Sequence, residues 1–208
     1  MVTQRSKNKR SKNEVKRKQI LDAAVSLFTG QGYAATSMDL IAKNADVSKQ
    51  TVYSHFGSKD ELFSASVEYK CESLNILDLS LNDLSDPQNV LLTLAKSFTD
   101  FITSKEACAV HKICVFESTT YPQVSEMFYK AGPLRIINEV TLLMAKLHQQ
   151  KILDIENPRH AASQFLNMMK GELWMQTEFN IKERISAEEV EAYLHDSVAF
   201  FIRGYGIK

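Results

Sequence analysis

Lys49, Gln50, Thr51, Tyr53, Ser54 and His55 bring an ammonium, an amide, two aliphatic hydroxyls, a phenol and an imidazole into one short run, KQTVYSHF, that holds no carboxylate. Groups of this kind donate hydrogen bonds, and the natural acceptors for a row of donors are phosphate oxygens and the edges of bases. The two apolar members, Val52 and Phe56, stand four residues apart, so on a helix they share the inward face and leave the donors outside. Ser48 precedes the run and can cap it by accepting a hydrogen bond from a free backbone N–H. Upstream, Met38, Ile41, Ala42 and Ala45 repeat at i, i+3, i+4 and i+7, the stripe of a second short helix, and Asp46-Val47 interrupts that pattern. Two short helices and a tight turn make a helix-turn-helix, the motif that offers a donor-rich helix to a duplex.

The chain has 208 residues and no net formal charge, which hides a division. Residues 1–59 carry eleven Lys/Arg and four Asp/Glu, a balance of +7, and residues 60–208 carry fourteen and twenty-one, a balance of −7. A basic head and an acidic remainder imply that only the head meets a polyanion. An apolar fraction of 44% is enough for a packed core. The basic N-terminal stretch is not followed by an apolar h-region, and no apolar run approaches the roughly 20 residues that span a bilayer. Three cysteines form neither an even set nor a metal-type cluster, so a soluble protein of the reducing cytoplasm is expected.

Residues 1–13, with five basic residues and nothing to bury, read as a disordered arm that either tracks DNA or stays solvated. Glu14 to Phe28 reads as the first helix, closed by Gly30 and Gly32. Thr36-Ser-Met-Asp39 has the spacing of a capping box, as do Ser58-Lys-Asp-Glu61 and Ser186-Ala-Glu-Glu189. A helix after Gly57 extends to about Leu77. Further helices are expected near 87–104, 105–118, from Tyr121-Pro122, 133–150, 158–179 and after Ser186, with proline placed at first turns. Alternating valine-rich runs are missing, so no sheet is expected. The fold class is therefore all-α.

The segment IldAAvsLFtgqGYaaTSmdlIAknAdVSkqTVYsHFgSKdELF, from Ile20 to Phe63, resembles the DNA-binding domain of TetR-family transcriptional repressors, and the wording TVYSHFGSKDEL is similar to the AefR-like branch. The resemblance implies a disordered basic arm over 1–13, a three-helix helix-turn-helix DNA-binding domain over 14–63, and a helical ligand-binding and dimerisation domain over 64–208, about nine helices in all. It implies a homodimer on a palindromic operator in double-stranded DNA, repressing transcription until an unknown small-molecule effector binds, with no cofactor and no metal. Thr36 would hold a phosphate through its hydroxyl. Ser48, Lys49, Gln50, Thr51 and Ser54 would lie at the major groove, Tyr53 and His55 on the backbone, and Lys59 on a phosphate. Glutamine at position 50 can pair two-pronged with adenine.

The helix near 158–179 and the last helix carry more apolar surface than one core needs, and pairs of such helices can join symmetry-related copies. The residues expected at that interface are Phe165, Met169, Leu173, Leu194, Val198, Phe201 and Ile202. Phe98, Phe101, Phe116, Tyr129, Met144, Met168 and Trp174 suit an apolar or aromatic guest, although the same types on a helical stripe also serve as plain core. Cys108, His111 and Cys114 are spaced so that the end members diverge around a helix, which points to buried thiols rather than a metal site. No nucleophile elbow, glycine-rich phosphate loop, HExxH pair or CxxC occurs, so an enzyme is not expected. The remaining competitor is a structural protein that coats DNA by charge alone.

Overall fold

The computed structural model describes residues 2–74, 84–181 and 185–206, with the backbone alone for residues 2–12 and Ser73. All regular structure among these residues is helical. The order is α1 (Val2–Ala35), α2 (Met38–Asn44), α3 (Lys49–Phe56), α4 (Lys59–Cys71), a 3-10 turn (Glu72–Leu74), α5 (Pro87–Ile102), α6 (Lys105–Glu117), α7 (Pro122–Ala131), α8 (Pro133–Gln149), α9 (Pro158–Glu178) and α10 (Ala187–Tyr205). The expected all-α class holds.

Helix α1 begins at Val2, so the backbone of residues 2–13 continues the helix where the sequence reading expects a disordered arm. Residues 2–29 include neither glycine nor proline, and lysine, arginine and glutamine are good helix formers. Gly30 does not interrupt the helix; the break comes at Gly32, with φ 84° and ψ 173°, three residues before its end at Ala35. Helix α4 stops at Cys71, short of the expected Leu77, and residues 75–77 lie outside the described ones.

The chain forms two compact units, residues 1–70 with 109–131, and residues 71–108 with 132–208. The expected head, 14–63, falls entirely within the first, and so does 109–131, which the sequence reading assigns to the body. The first unit is built on Ile20, Ala24, Phe28, Ile41, Val52 and Leu62, all buried. The Phe63 ring meets Phe28 and Tyr33 edge-on, with centroids 5.1 and 5.4 Å away, a geometry that favours aromatic pairs beyond their buried area.

In the second unit α5 packs on α9 and α10, and α9 on α8 and α10. Local caps set these helices as the sequence implies. Asp86 and Asn157 accept from the N–H groups of Asn89 and His160, both at 3.0 Å, ahead of Pro87 and Pro158. Ser186 and Glu189 form a complete capping box. Less expected is the break inside α9 at Gly171, where φ is 52° and ψ −164°. Two carbonyls just before it accept side-chain donors from neighbouring helices. Tyr193 Oη of α10 donates to Met168 O at 2.7 Å, and the buried Thr99 Oγ1 of α5 donates to Met169 O at 3.0 Å.

A Cβ on Gly171 would stand 2.8 Å from the Tyr193 ring, on a backbone that L side chains rarely adopt. Gly171→Ala is expected to cost about 1–3 kcal/mol of unfolding free energy in urea. Tyr193→Phe, which removes only the hydroxyl, should cost about 1 kcal/mol; an alanine at position 171 as stable as glycine would contradict the packing described.

Candidate nucleic-acid interface

The turn between α2 and α3 is a closed unit of backbone hydrogen bonds. Ala45 N–H donates to Ile41 O at 2.9 Å and Val47 N–H to Ala42 O at 3.0 Å. Between them Asp46 takes φ 53°, the left-handed region that aspartate tolerates better than most residues. Ser48 then caps α3, its Oγ accepting from Thr51 N–H at 3.2 Å and lying 2.8 Å from Thr51 Oγ1.

Burial of Val52 and Phe56 fixes which way α3 faces. At 3.6 residues per turn, Gln50 and Ser54 point away from the core, and Tyr53 and His55 fall roughly 80° to either side of the buried line. Gln50 and Ser54 are exposed, and Ser54 Oγ donates to Thr51 O at 2.8 Å. Tyr53 is 44% exposed. Lys49 lies on the same flank, 5.9 Å from the Tyr53 ring centroid, and pairs with Asp39 of α2 at 2.7 Å. Its hydrogen bond to Asp39, and then the carboxylate's charge, hold the ammonium above the ordinary lysine range. On the other flank His55 is half-buried; burial, then the charges of Arg17 and Lys16, push its imidazole below the ordinary histidine value.

Two expected phosphate ligands are turned inward. Thr36 is 1% exposed and donates to Gly32 O at 2.7 Å, satisfying a carbonyl at the end of α1. The cap of α2 is Ser37, not Thr36: its Oγ accepts from Leu40 N–H at 3.2 Å. The expected box was therefore displaced by one residue, and the exposed hydroxyl at the start of α2 belongs to Ser37. Lys59 reaches back to donate to Tyr33 O and Thr36 O, both at 3.1 Å, with its Nζ 4.0 Å from the Tyr33 ring centroid. Two carbonyls and an aromatic face occupy most of the ammonium's donor capacity, so the residue ties α4 to the end of α1. Tyr33 completes this corner by donating to Asp60, and burial, followed by that carboxylate, raises its phenol well above the usual range. Ser37, Lys16 and Arg17 stand beside these residues and lie outside the expected set. The basic run Lys16-Arg17-Lys18 was visible, but its place beside α3 depends on how α1 crosses that helix.

The family of bacterial regulatory proteins named for tetR matches residues 20–66, and the AefR-like transcriptional repressor C-terminal domain matches residues 89–207, more than half of the chain. This protein belongs to the TetR family. Members are DNA-binding transcriptional regulators, not enzymes. FrrA, a flavonoid-responsive regulator, is 32% identical with TM-score 0.71, covering 91% of this chain and 96% of its own. A TetR-family regulator from Mesorhizobium loti is 27% identical with TM-score 0.76, covering 94% and 98%. Among curated relatives, the activator FasR of Mycolicibacterium smegmatis is 34% identical over 111 residues, 53% of this chain and 50% of FasR. YhgD of Bacillus subtilis is 54% identical over 48 residues, 23% of this chain and 25% of YhgD. The chain thus spans half or less of the length of these two.

The body of this TetR-family chain departs from several expectations. Of the residues expected around a guest, Phe116 is 87% exposed and Tyr129 48%. Phe98 and Met144 are buried, and Phe101, Met168 and Trp174 half-buried. Of the residues expected between copies, Phe165, Met169, Leu194, Val198 and Phe201 are at most 3% exposed, because α9 and α10 bury them against each other and against α5. Leu173 and Ile202 are half-buried. The exposed apolar residues of these helices are instead Met175, Tyr193 and Phe200, with Phe179 just past α9. Cys108 is buried, its Sγ donating to Ile102 O at 3.2 Å. Burial, then Glu117, pushes the Cys114 thiol up to about 12. The described residues offer no group of three or more His, Cys, Asp or Glu suited to a metal, and no helix long and apolar enough to cross a membrane.

Lys59→Met should lower the stability of the chain by about 1 kcal/mol or more in urea unfolding, while leaving the salt slope of DNA binding unchanged. A normal stability with a shallower slope would restore the phosphate role. Cys114, neutral at neutral and mildly alkaline pH, should resist alkylation in the native protein, as read by mass spectrometry after iodoacetamide treatment at pH about 8; rapid labelling would contradict its burial.

Proposed function

We propose that this protein is a homodimeric transcriptional regulator that reads a palindromic operator with α3, represses from it, and lets go when a small apolar or aromatic molecule binds its helical body. The observation that carries the reading is the outward face of α3. Gln50, Ser54 and Tyr53 are exposed there, with no carboxylate on the helix, and Val52 and Phe56 fix its rotation. Gln50 reads a base, most naturally adenine through its amide, while the hydroxyls and the Tyr53 phenol hold the backbone.

Dimerisation supplies the second recognition helix about one turn of DNA away. The occupant of the exposed face of α9 and α10 is a second copy of the chain. Met175, Phe179, Tyr193 and Phe200 supply its apolar contacts, in place of the buried residues the sequence reading selected. Repression agrees with IcaR of Staphylococcus aureus, a negative transcriptional regulator 39% identical over 56 residues, although FasR is named an activator. The effector class draws on FrrA, named as flavonoid-responsive, and on the aromatic and thioether groups of Phe98, Phe101, Met144, Met168 and Trp174 in the second unit. Coupling of about 1–3 kcal/mol between effector and operator is enough for a switch of 5–150-fold.

Selection of duplexes from a random pool by the full-length protein tests the core of this reading: it should enrich an inverted repeat. Gln50→Ala should relax preference at one base step by about 1–3 kcal/mol and leave the others intact. A protein that coats DNA by charge alone would enrich nothing. Phe200→Glu should convert the dimer to monomer in sedimentation and weaken operator binding; an unchanged mass would reject α10 as the interface.

A further inference from the structure

The two flanks of α3 are dressed differently. Tyr53 and Lys49 line one, where Asp39 already neutralises the lysine at 2.7 Å. On the other, α1 lays Arg17 across the end of the recognition helix, with its guanidinium carbon 4.7 Å from the Phe56 ring centroid. The His55 ring lies 6.1 Å from that same ring, and Lys16 precedes Arg17 on α1. Among the described residues no carboxylate pairs with Lys16 or Arg17. Two other cations of the first unit, Lys49 and Lys59, are engaged by a carboxylate and by carbonyls, while Lys16 and Arg17 stand beside the His55 imidazole.

We propose that Lys16 and Arg17 of α1, together with His55 of α3, form a phosphate clamp on the groove wall opposite the one held by Tyr53, and that closing it on DNA takes up a proton at His55. A helix seated in a major groove has a sugar-phosphate strand on each side, and residues at roughly 80° to either side of the buried line face one strand each. Tyr53 serves one strand and His55 the other. The aromatic contact with Phe56 pins the guanidinium in place, as expected for an arginine above an aromatic face. This deepens the proposed reading of α3 and rests on it.

The proton follows from the same crowding. In the free protein burial, and then Arg17 and Lys16, disfavour the imidazolium, so His55 is neutral near pH 7. A phosphate brought between the three groups cancels that repulsion and favours the protonated ring. The charged groups acting on His55 both come from α1, namely Arg17 and Lys16; Asp39, the carboxylate of α2, is engaged with Lys49 on the far flank. The sign is fixed by linkage. A pKa higher in the complex than in the free protein gives extra affinity that is complete below the free value and is lost as pH rises through the bound value.

The test uses the full chain and a fluorescein-labelled mixed-sequence duplex about two half-sites long, because a phosphate contact does not depend on sequence. Affinity should rise as pH is lowered from about 8 to about 6. His55→Gln should flatten that dependence. Arg17→Gln should reduce the slope of log K against log salt by about 1 for each protomer, and Arg17→Lys should restore it. Arg17 is exposed, so its variants should fold normally, and circular dichroism melts of all three variants check this. Equal salt slopes for wild type and Arg17→Gln, or an unchanged pH profile in His55→Gln, overturn the clamp. Enrichment of an inverted repeat from the random pool is scored separately, so the clamp can fail while the operator reading stands, and the reverse.

Discussion

Everything the reading head does depends on two side chains entering its core from α3. An eight-residue helix is too short to persist alone in water, so the burial of Val52 and Phe56 both stabilises the helix and sets its rotation. Rotating α3 by one residue would turn Gln50 and Ser54 toward a flank and expose an apolar ring to the groove. The polar residues therefore need no contact with the core to be positioned; their bearing follows from the two that have one. Phe56 contributes twice, since its ring is also the surface on which Arg17 rests.

Around this anchor the first unit uses residues that look like DNA ligands for internal joints. Thr36, Tyr33, Asp60 and Lys59 satisfy one another and the carbonyls near the break of α1 at Gly32. Buried polar groups have to be paired, and a corner where one helix breaks and two others begin has many free backbone groups to pair. That need claims the hydroxyl of Thr36 and most of the ammonium of Lys59 before any phosphate arrives. Ser37, one residue further on, is left at the surface to cap α2.

The sequence was informative where the physics is local. Two of the three capping boxes form as spaced, Pro87, Pro122, Pro133 and Pro158 open helices as expected, and the α2-turn-α3 unit lies where its periodicity places it. It was uninformative where the answer depends on which helix faces which. The apolar residues of α9 and α10 occupy so much of each circumference that periodicity cannot separate those buried within the chain, such as Phe165 and Val198, from those left outside, such as Met175 and Phe200. The break at Gly171 had no local sign either, because one glycine in a helical pattern is usually tolerated. What makes it a break is the Tyr193 ring against it, and Tyr193 is supplied by a different helix.

The division of charge gives these local arrangements a common direction. The −7 of residues 60–208 opposes any approach of that part of the chain to a polyanion, while the +7 of residues 1–59 favours approach by the head. Because the two balances cancel, the chain carries no net charge to drive indiscriminate adsorption, and attraction grows only at distances within a Debye length, roughly 8 Å at physiological salt, of the basic surface. Within the head the cations are again unequal: Lys49 is neutralised by Asp39 and Lys59 is turned inward, whereas Lys16 and Arg17 have no carboxylate among the described residues. Lys16 and Arg17 thus add their charge to the head's attraction beside the flank of α3 that carries His55. In the proposed reading, the uncharged donors Gln50 and Ser54, exposed on α3, carry the discrimination that charge cannot provide.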